Sequence, residues 1–406
     1  MKKTSVLALI LALVLSLTAC FGGEKELYNA MNKMKEITTL ESETELGFNF
    51  SWEGFSTEDE ITLQQLENIL NAAKFNIHQK SKTNEDKTTS LVEADVNISL
   101  GITSLPLKVW LDADVSEDNF KLVEVLQLPP ILGMFMPNLA NVKYLVYDFN
   151  EIMDLAGEDA NQANMEEIIK LNKELQPKLL EFVDQIQEEL KPDIKMISKK
   201  GKQEIDGEKL TVYEIKLNDE TLKELVKYTV DYILENEDFE AMVREYMNSL
   251  AQMAIAQEEL TEEEAEEMTE EFNTALAELM PEVKEEFHKF MEKYKDVQIL
   301  GENGILIELG INKDGYLVHE KGNIDLRIDF GSIARANGEE IEKTEIINLG
   351  IEYKTKTYNI NSEEIEIKLP ELTEGNSVKY TDLIKLFEEQ LNMFQVEPEM
   401  EVLPLP

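Results

Sequence analysis

Thiols, imidazoles and clustered carboxylates are the side chains most readily turned to chemistry, and this chain holds one cysteine, Cys20, and three histidines, His78, His288 and His319. A lone cysteine has no internal partner, so packing rather than disulfides must hold the fold. The histidines fall in a predicted strand, a glutamate-rich helix and a predicted hairpin, with no His-Glu-x-x-His spacing, and each reads as a surface or edge residue. No Gly-x-Ser-x-Gly elbow, Walker A loop or Gly-x-Gly-x-x-Gly turn occurs. Asn312-Lys-Asp314-Gly315 has the look of a calcium loop's middle, but Gly310 and Lys321 would occupy its first and twelfth positions, where carboxylates are needed. A strand-connecting turn is the expectation there. Glu258–Glu271 packs nine glutamates into fourteen residues, a solvated helical face first and a weak cation or basic-partner surface second. No catalytic residue, metal or cofactor is predicted, and the expectation is a protein that is not an enzyme.

Cys20 gains meaning from what precedes it. Lys2 and Lys3 lead into the apolar run Val6–Leu15, which has the length of a signal-peptide core and is too short to span a bilayer. Leu17-Thr18-Ala19-Cys20 then resembles the lipobox of bacterial lipoproteins. The resemblance implies a diacylglyceryl thioether on Cys20, cleavage before it, and a mature chain held on the extracytoplasmic face of the cell membrane. A thiolate nucleophile is thereby excluded. Two acyl chains at about 0.8 kcal/mol per buried methylene hold a protein stably at a bilayer.

The 386 residues after Cys20 (406 less 20) carry 37 lysines and arginines (39 less Lys2 and Lys3) against 83 acidic residues, a formal charge of −46. Nucleic acid is excluded as a partner, because phosphate neutralisation needs clustered cations. With 43% hydrophobic residues and 11 prolines the body can bury a core, and no later stretch is apolar enough to cross a membrane.

Hydrophobic periodicity places the elements. Leu27, Met31, Met34 and Ile37 mark a short helix, and Leu40 to Trp52 alternate as a strand. A helix-like piece at Leu63–Leu70 is followed by alternation through Val92–Ile102, Leu107–Val115, Phe120–Leu128 and Val142–Phe149, spacings that suit antiparallel meanders. Met165–Leu190 is helical; Ile194–Glu204 and Leu210–Leu217 form a hairpin across Asp206-Gly207; a helical tract runs with interruptions from Thr221 to Tyr294. Strands are expected again at Val297–Ile311, Tyr316–Phe330, Glu345–Tyr353 and Thr355–Leu369, then a helix at Tyr380–Phe394 and a loose tail. Strand blocks separated by helical blocks predict an α+β protein, not a two-lobed α/β binding protein. The boundaries drawn are 1–20 for the leader, 21–375 for the body, with helical insertions at about 155–192 and 219–296, and 376–406 for the last helix and tail.

Tyr28-Asn-Ala-Met31-Asn-Lys-Met34 in a helix, Lys143-Tyr144-Leu-Val in a strand, Asp314-Gly315-Tyr316 in a hairpin and the closing Ile365-Glu-Ile367-Lys-Leu369-Pro370 together resemble the LolA/LppX-type lipoproteins. The resemblance implies a half-barrel, an open antiparallel sheet of about eleven strands with helices over its concave face, and apolar enclosure of a lipid between them. Leu46, Phe48, Phe50, Val96, Ile98, Leu100, Val109 and Leu111 are then the candidate lining residues. The apolar loop residues Met134, Phe135 and Met136 are candidates to cap such a cavity. The same alternation would equally pack a sheet onto its helices, giving a filled core and an acidic exterior suited to a surface scaffold with a protein partner.

Overall fold

Period-two alternation becomes strand after strand of one large sheet in the computed structural model, which describes residues 25–116, 119–130, 139, 141–156, 178, 181–182, 185, 194–256, 260–341 and 343–385. The strands are β1 (Thr39–Glu53), β2 (Ala73–Thr83), β3 (Thr89–Leu100), β4 (Thr103–Ser116), β5 (Asn119–Gln127), β6 (Tyr144–Asp148), β7 (Ile197–Ile205), β8 (Glu208–Leu217), β9 (Leu300–Ile311), β10 (Leu317–Asp329), β11 (Ile346–Tyr358) and β12 (Ser377–Lys379). Their order is β12-β6-β5-β4-β3-β2-β1-β11-β10-β9-β8-β7. Two antiparallel meanders, β1 to β6 and β7 to β11, thus meet at a seam where Glu41 faces Tyr358 and Glu53 faces Ile346. The expectation of an antiparallel sheet holds except at its edge, where β12 lies parallel to β6.

The expected strands Glu345–Tyr353 and Thr355–Leu369 prove to be one strand that stops early. β11 runs unbroken through Lys354 and ends at Tyr358, because Asn359 and Asn361 take φ of 51° and 54°. Asparagine tolerates this left-handed region better than most residues, and extended backbone cannot pass through it. Beyond it Ile365 is buried outside the sheet. At the other end of β11 the chain must pass close to Gly54, whose φ is +85°; a Cβ there would lie 1.9 Å from the Thr344 carbonyl oxygen.

The sheet is curved. Lys354 of β11 pairs at 3.1 Å with Asp206 in the β7–β8 turn, although β11 and β8 stand three places apart in the order. A flat sheet would hold them about 14 Å apart. Leu210 and Val212 pack with Val318 on that same side of the sheet.

The other side carries helices over β8 and β9. Helix α1 (Lys25–Lys35) buries Leu27 and Ala30 against Tyr213, Ile215, Leu309 and Ile311. Helix α2 (Thr57–Ala72) bridges β1 and β2 and has no fully buried residue, while α3 (Phe149–Ala156) follows β6 directly. The long helical tract resolves into α4 (Asp219–Glu235), α5 (Glu237–Ala256) and α6 (Glu262–Lys293). A capping box between Asn218 and Thr221 starts α4, and one between Thr261 and Glu264 starts α6. A short helix α7 (Phe330–Ala336) follows β10.

The main core forms where these helices meet the sheet. Leu225, Val230, Ile233 and Phe287 are fully buried there with Leu300, and Phe182 from the expected Met165–Leu190 helix joins them 5.6 Å from Phe239. Asp219 pins this core to the sheet: its Oδ1 accepts from the N–H of Ile299 at 2.6 Å and of Leu300 at 2.9 Å, and its Oδ2 pairs with Lys223 at 2.7 Å. Burial alone would raise the Asp219 pKa; the Lys223 ammonium and the two N–H groups outweigh it and hold the carboxyl below the usual range.

Candidate ligand-binding face

In an antiparallel pair, residues directly opposite share a face of the sheet. Starting from β1, Leu46 lies opposite Tyr353 on β11 and Phe75 on β2; Phe48 faces Ile351, and Phe50 faces Leu349. Phe75 in turn faces Ile98, Ile77 faces Val96, and Ala73 faces Leu100. Val96 faces Leu107, Ala94 faces Val109, and Val92 faces Leu111. All eight sequence-derived lining residues, Leu46, Phe48, Phe50, Val96, Ile98, Leu100, Val109 and Leu111, therefore lie on one face of the sheet, on β1, β3 and β4 with β2 between.

That face is apolar and incompletely covered. Only Phe50 among the eight is buried, at 5% exposure; Leu100 is 43% exposed and the other six lie between these classes. Phe48 and Phe75 meet edge to face with ring centres 6.0 Å apart, and the Thr44 and Thr355 hydroxyls bond across the seam at 2.9 Å. Asn71 of α2 brackets the Phe50 backbone, accepting from its N–H at 2.6 Å and donating to its carbonyl at 3.0 Å.

The opposite face of the same strands is charged. Lys108 pairs with Glu93 at 3.0 Å and Asp95 at 3.2 Å, Lys121 pairs with Asp112, and the Trp110 indole N–H donates to Glu93 at 3.2 Å. Burial would push the Glu93 pKa up, but the Lys108 ammonium outweighs it and lowers it. Charge on one face and hydrocarbon on the other is the division expected where only one face meets apolar matter.

Several members of the apolar face escape a strand-by-strand reading. Phe75 and Ile77 sit in β2, whose alternation fades into Gln79 and Ser81 on the same face, and Ile347, Leu349 and Ile351 enter through the β1–β11 seam. The eight residues line neither of two clefts elsewhere. One, of about 850 Å³, lies beside β6 and β12 and is lined by Val146, Glu151, Ser377, Lys379 and Asp382; the other, of about 500 Å³, lies between α1 and the β9–β10 turn.

Cys20, Met134, Phe135 and Met136 fall outside the described residues, as do Glu258 and Glu259. Glu262–Glu271 form the first turns of α6, and no group of three or more metal-ligating side chains occurs among the described residues. Asn312–Gly315 is a strand-connecting turn in which the Asn312 side chain accepts from the N–H of Asp314 and of Tyr316, each at 3.0 Å. His78 sits in β2 and His288 on α6, 2.6 Å from Asp231. His319 corrects the expectation of surface histidines: it is 5% exposed, because Gly310 beside it on β9 leaves room for its side chain, and its Nε2 lies 3.3 Å from Glu308.

No helix among the described residues is long and apolar enough to cross a membrane. No protein-family profile matches the chain, and no curated protein matches it.

Proposed function

We propose that this is a non-enzymatic lipoprotein, tethered through acylated Cys20 to the extracytoplasmic face of the cell membrane, whose curved sheet binds a hydrophobic ligand such as an acyl chain. The observation that carries the binding role is the shared face of the eight lining residues, of which only Phe50 is buried. Each methylene that covers such a surface contributes about 0.8 kcal/mol, so an acyl chain of ordinary length supplies enough to bind without polar recognition. A LolA/LppX-type half-barrel would place this face beneath helices.

The test is extraction of the natively purified mature chain with organic solvent, followed by titration with a fluorescent fatty-acid probe. Bound or exchangeable lipid is expected, and Val96→Glu with Val109→Glu should weaken the probe by about tenfold or more. Absence of both lipid and probe binding removes the proposal.

One observation favours a second role, as a surface scaffold. Ile61 and Ile69 of α2 are 69% and 55% exposed, and Ile102 at the β3–β4 tip is fully exposed, at the same end of the sheet. Apolar side chains standing in water together are the mark of a protein contact. Cross-linking on intact cells that is lost in Ile61→Lys with Ile69→Lys, and kept in the Val96→Glu variant, would assign that end to a partner.

A further inference from the structure

Three lysines converge on one cleft in a chain where acidic residues outnumber basic ones 83 to 39. The cleft of about 500 Å³ between α1 and the β9–β10 turn is lined by Lys25, Asn29 and Lys33 from the helix and by Lys313 from the turn. The spacing i, i+4, i+8 puts the three helical residues in one stripe, beside the buried Leu27 and Ala30 that fix the helix to the sheet.

Its charge is cationic in effect. Glu26 is the acidic lining residue, and its carboxylate is occupied by Lys199 at 2.5 Å and the Tyr213 hydroxyl at 2.7 Å. Lys33 is held in place, donating to the Asp314 carbonyl at 2.5 Å with its ammonium 4.2 Å from the centre of the Tyr316 ring. An ammonium has three protons, so donors are left for a ligand. Lys25 and Lys313 are exposed and make no ion pair with any described residue.

We infer that this cleft binds the phosphate of an anionic lipid headgroup. The choice of a membrane source rests on the proposed tether: four residues lie between Cys20 and Lys25, five steps of chain that span at most about 17 Å. A body anchored at Cys20 thus keeps this cleft within reach of the headgroups. The negative charge elsewhere acts weakly on it, since screening at physiological salt cuts off beyond about 8 Å.

The experiment uses the mature chain beginning at residue 20 and carrying Cys20→Ser, so that neither leader nor acyl group contributes. It is floated with vesicles of phosphatidylcholine alone and of phosphatidylcholine with phosphatidylglycerol, and titrated separately with inorganic phosphate by calorimetry. Binding to the phosphatidylglycerol vesicles alone is expected. Each of Lys25→Gln, Lys33→Gln and Lys313→Gln should weaken it roughly fivefold, and all three together about a hundredfold. Circular dichroism checks that the variants fold.

Equal binding by parent and triple variant, or equal binding to both vesicle types, overturns the inference. Saturation by inorganic phosphate with no preference between vesicles assigns the cleft to a free anion and overturns the membrane source. The mass of the protein isolated from cells separates this inference from the tether. An unmodified Cys20 with lysine-dependent vesicle binding sinks the tether alone; an acylated Cys20 with lysine-independent binding sinks the cleft alone.

Discussion

Replacing Asp219 by alanine should loosen the junction between the helical layer and the sheet, and the cost can be worked from its contacts. Its Oδ1 takes two backbone N–H groups at the start of β9, and Leu300, which donates one, is 1% exposed. Orphaning a buried donor costs about 1–3 kcal/mol, and hydrogen bonds to a charged acceptor contribute about 1.5–3 kcal/mol. Lys223 loses its partner but keeps the carbonyls of Lys295 at 2.9 Å and Val297 at 2.6 Å, which limits the damage on its side. The sum for Asp219→Ala is about 2–4 kcal/mol. Asparagine retains an oxygen for both N–H groups and turns an amide toward Lys223, so Asp219→Asn should cost about half as much.

The same carboxylate has a pH signature. Its folded pKa is depressed, so its contribution is fully present above the unfolded pKa near 3.8 and is lost as pH falls through the lower folded value. Urea unfolding from neutral pH down into that range, with the midpoint compared at constant slope, measures both effects. Loss of stability within about 0.5 kcal/mol of the parent for Asp219→Ala, or an acid limb unchanged in Asp219→Asn, would refute the assignment of this side chain as the pin.

Three further outcomes follow from packing and backbone. Phe287→Ala, at a fully buried position in the main core, should cost about 3–5 kcal/mol in the same assay. Gly54→Ala should cost at least about 2 kcal/mol, since the residue combines φ of +85° with a carbonyl 1.9 Å from its would-be Cβ. It should be visible as early loss of amide-exchange protection along the β1–β11 seam. Asn218→Ala removes the cap whose side chain accepts from Thr221 N–H at 2.8 Å and should cost about 1 kcal/mol, read from the thermal midpoint.

Much of the sheet could be read from the chain because it is built of long antiparallel strands whose alternation is almost unbroken, as in Val92 to Leu100. The tips betray themselves through Asp206-Gly207 and Asn312–Gly315. What alternation cannot encode is which strands become neighbours. The pairing of Leu46 with both Phe75 and Tyr353 joins residues from distant parts of the chain, and only the register reveals that one face is continuous across them. Ile365-Glu-Ile367-Lys-Leu369 has the pattern of a strand and none of its pairing, because two left-handed asparagines upstream turn the chain away. His319 looked like a hairpin surface residue because nothing local records that Gly310, a residue with no side chain, stands beside it. The lysine cleft was equally hidden, its members being divided between positions 25–33 and 313.

The β1–β11 seam has a consequence for how the molecule comes into being. Synthesised from its N-terminus, the first meander can zip up by itself, since each of β1 to β5 pairs with its successor. One side of β1 must then wait, its backbone donors unpaired, until β11 is made, with nearly nine-tenths of the chain already synthesised. Pairings of such separation form late and slowly, and an open strand edge recruits other chains while it waits. A holding chaperone should therefore matter more to the yield of this protein than to one of equal size whose neighbouring strands follow one another in sequence.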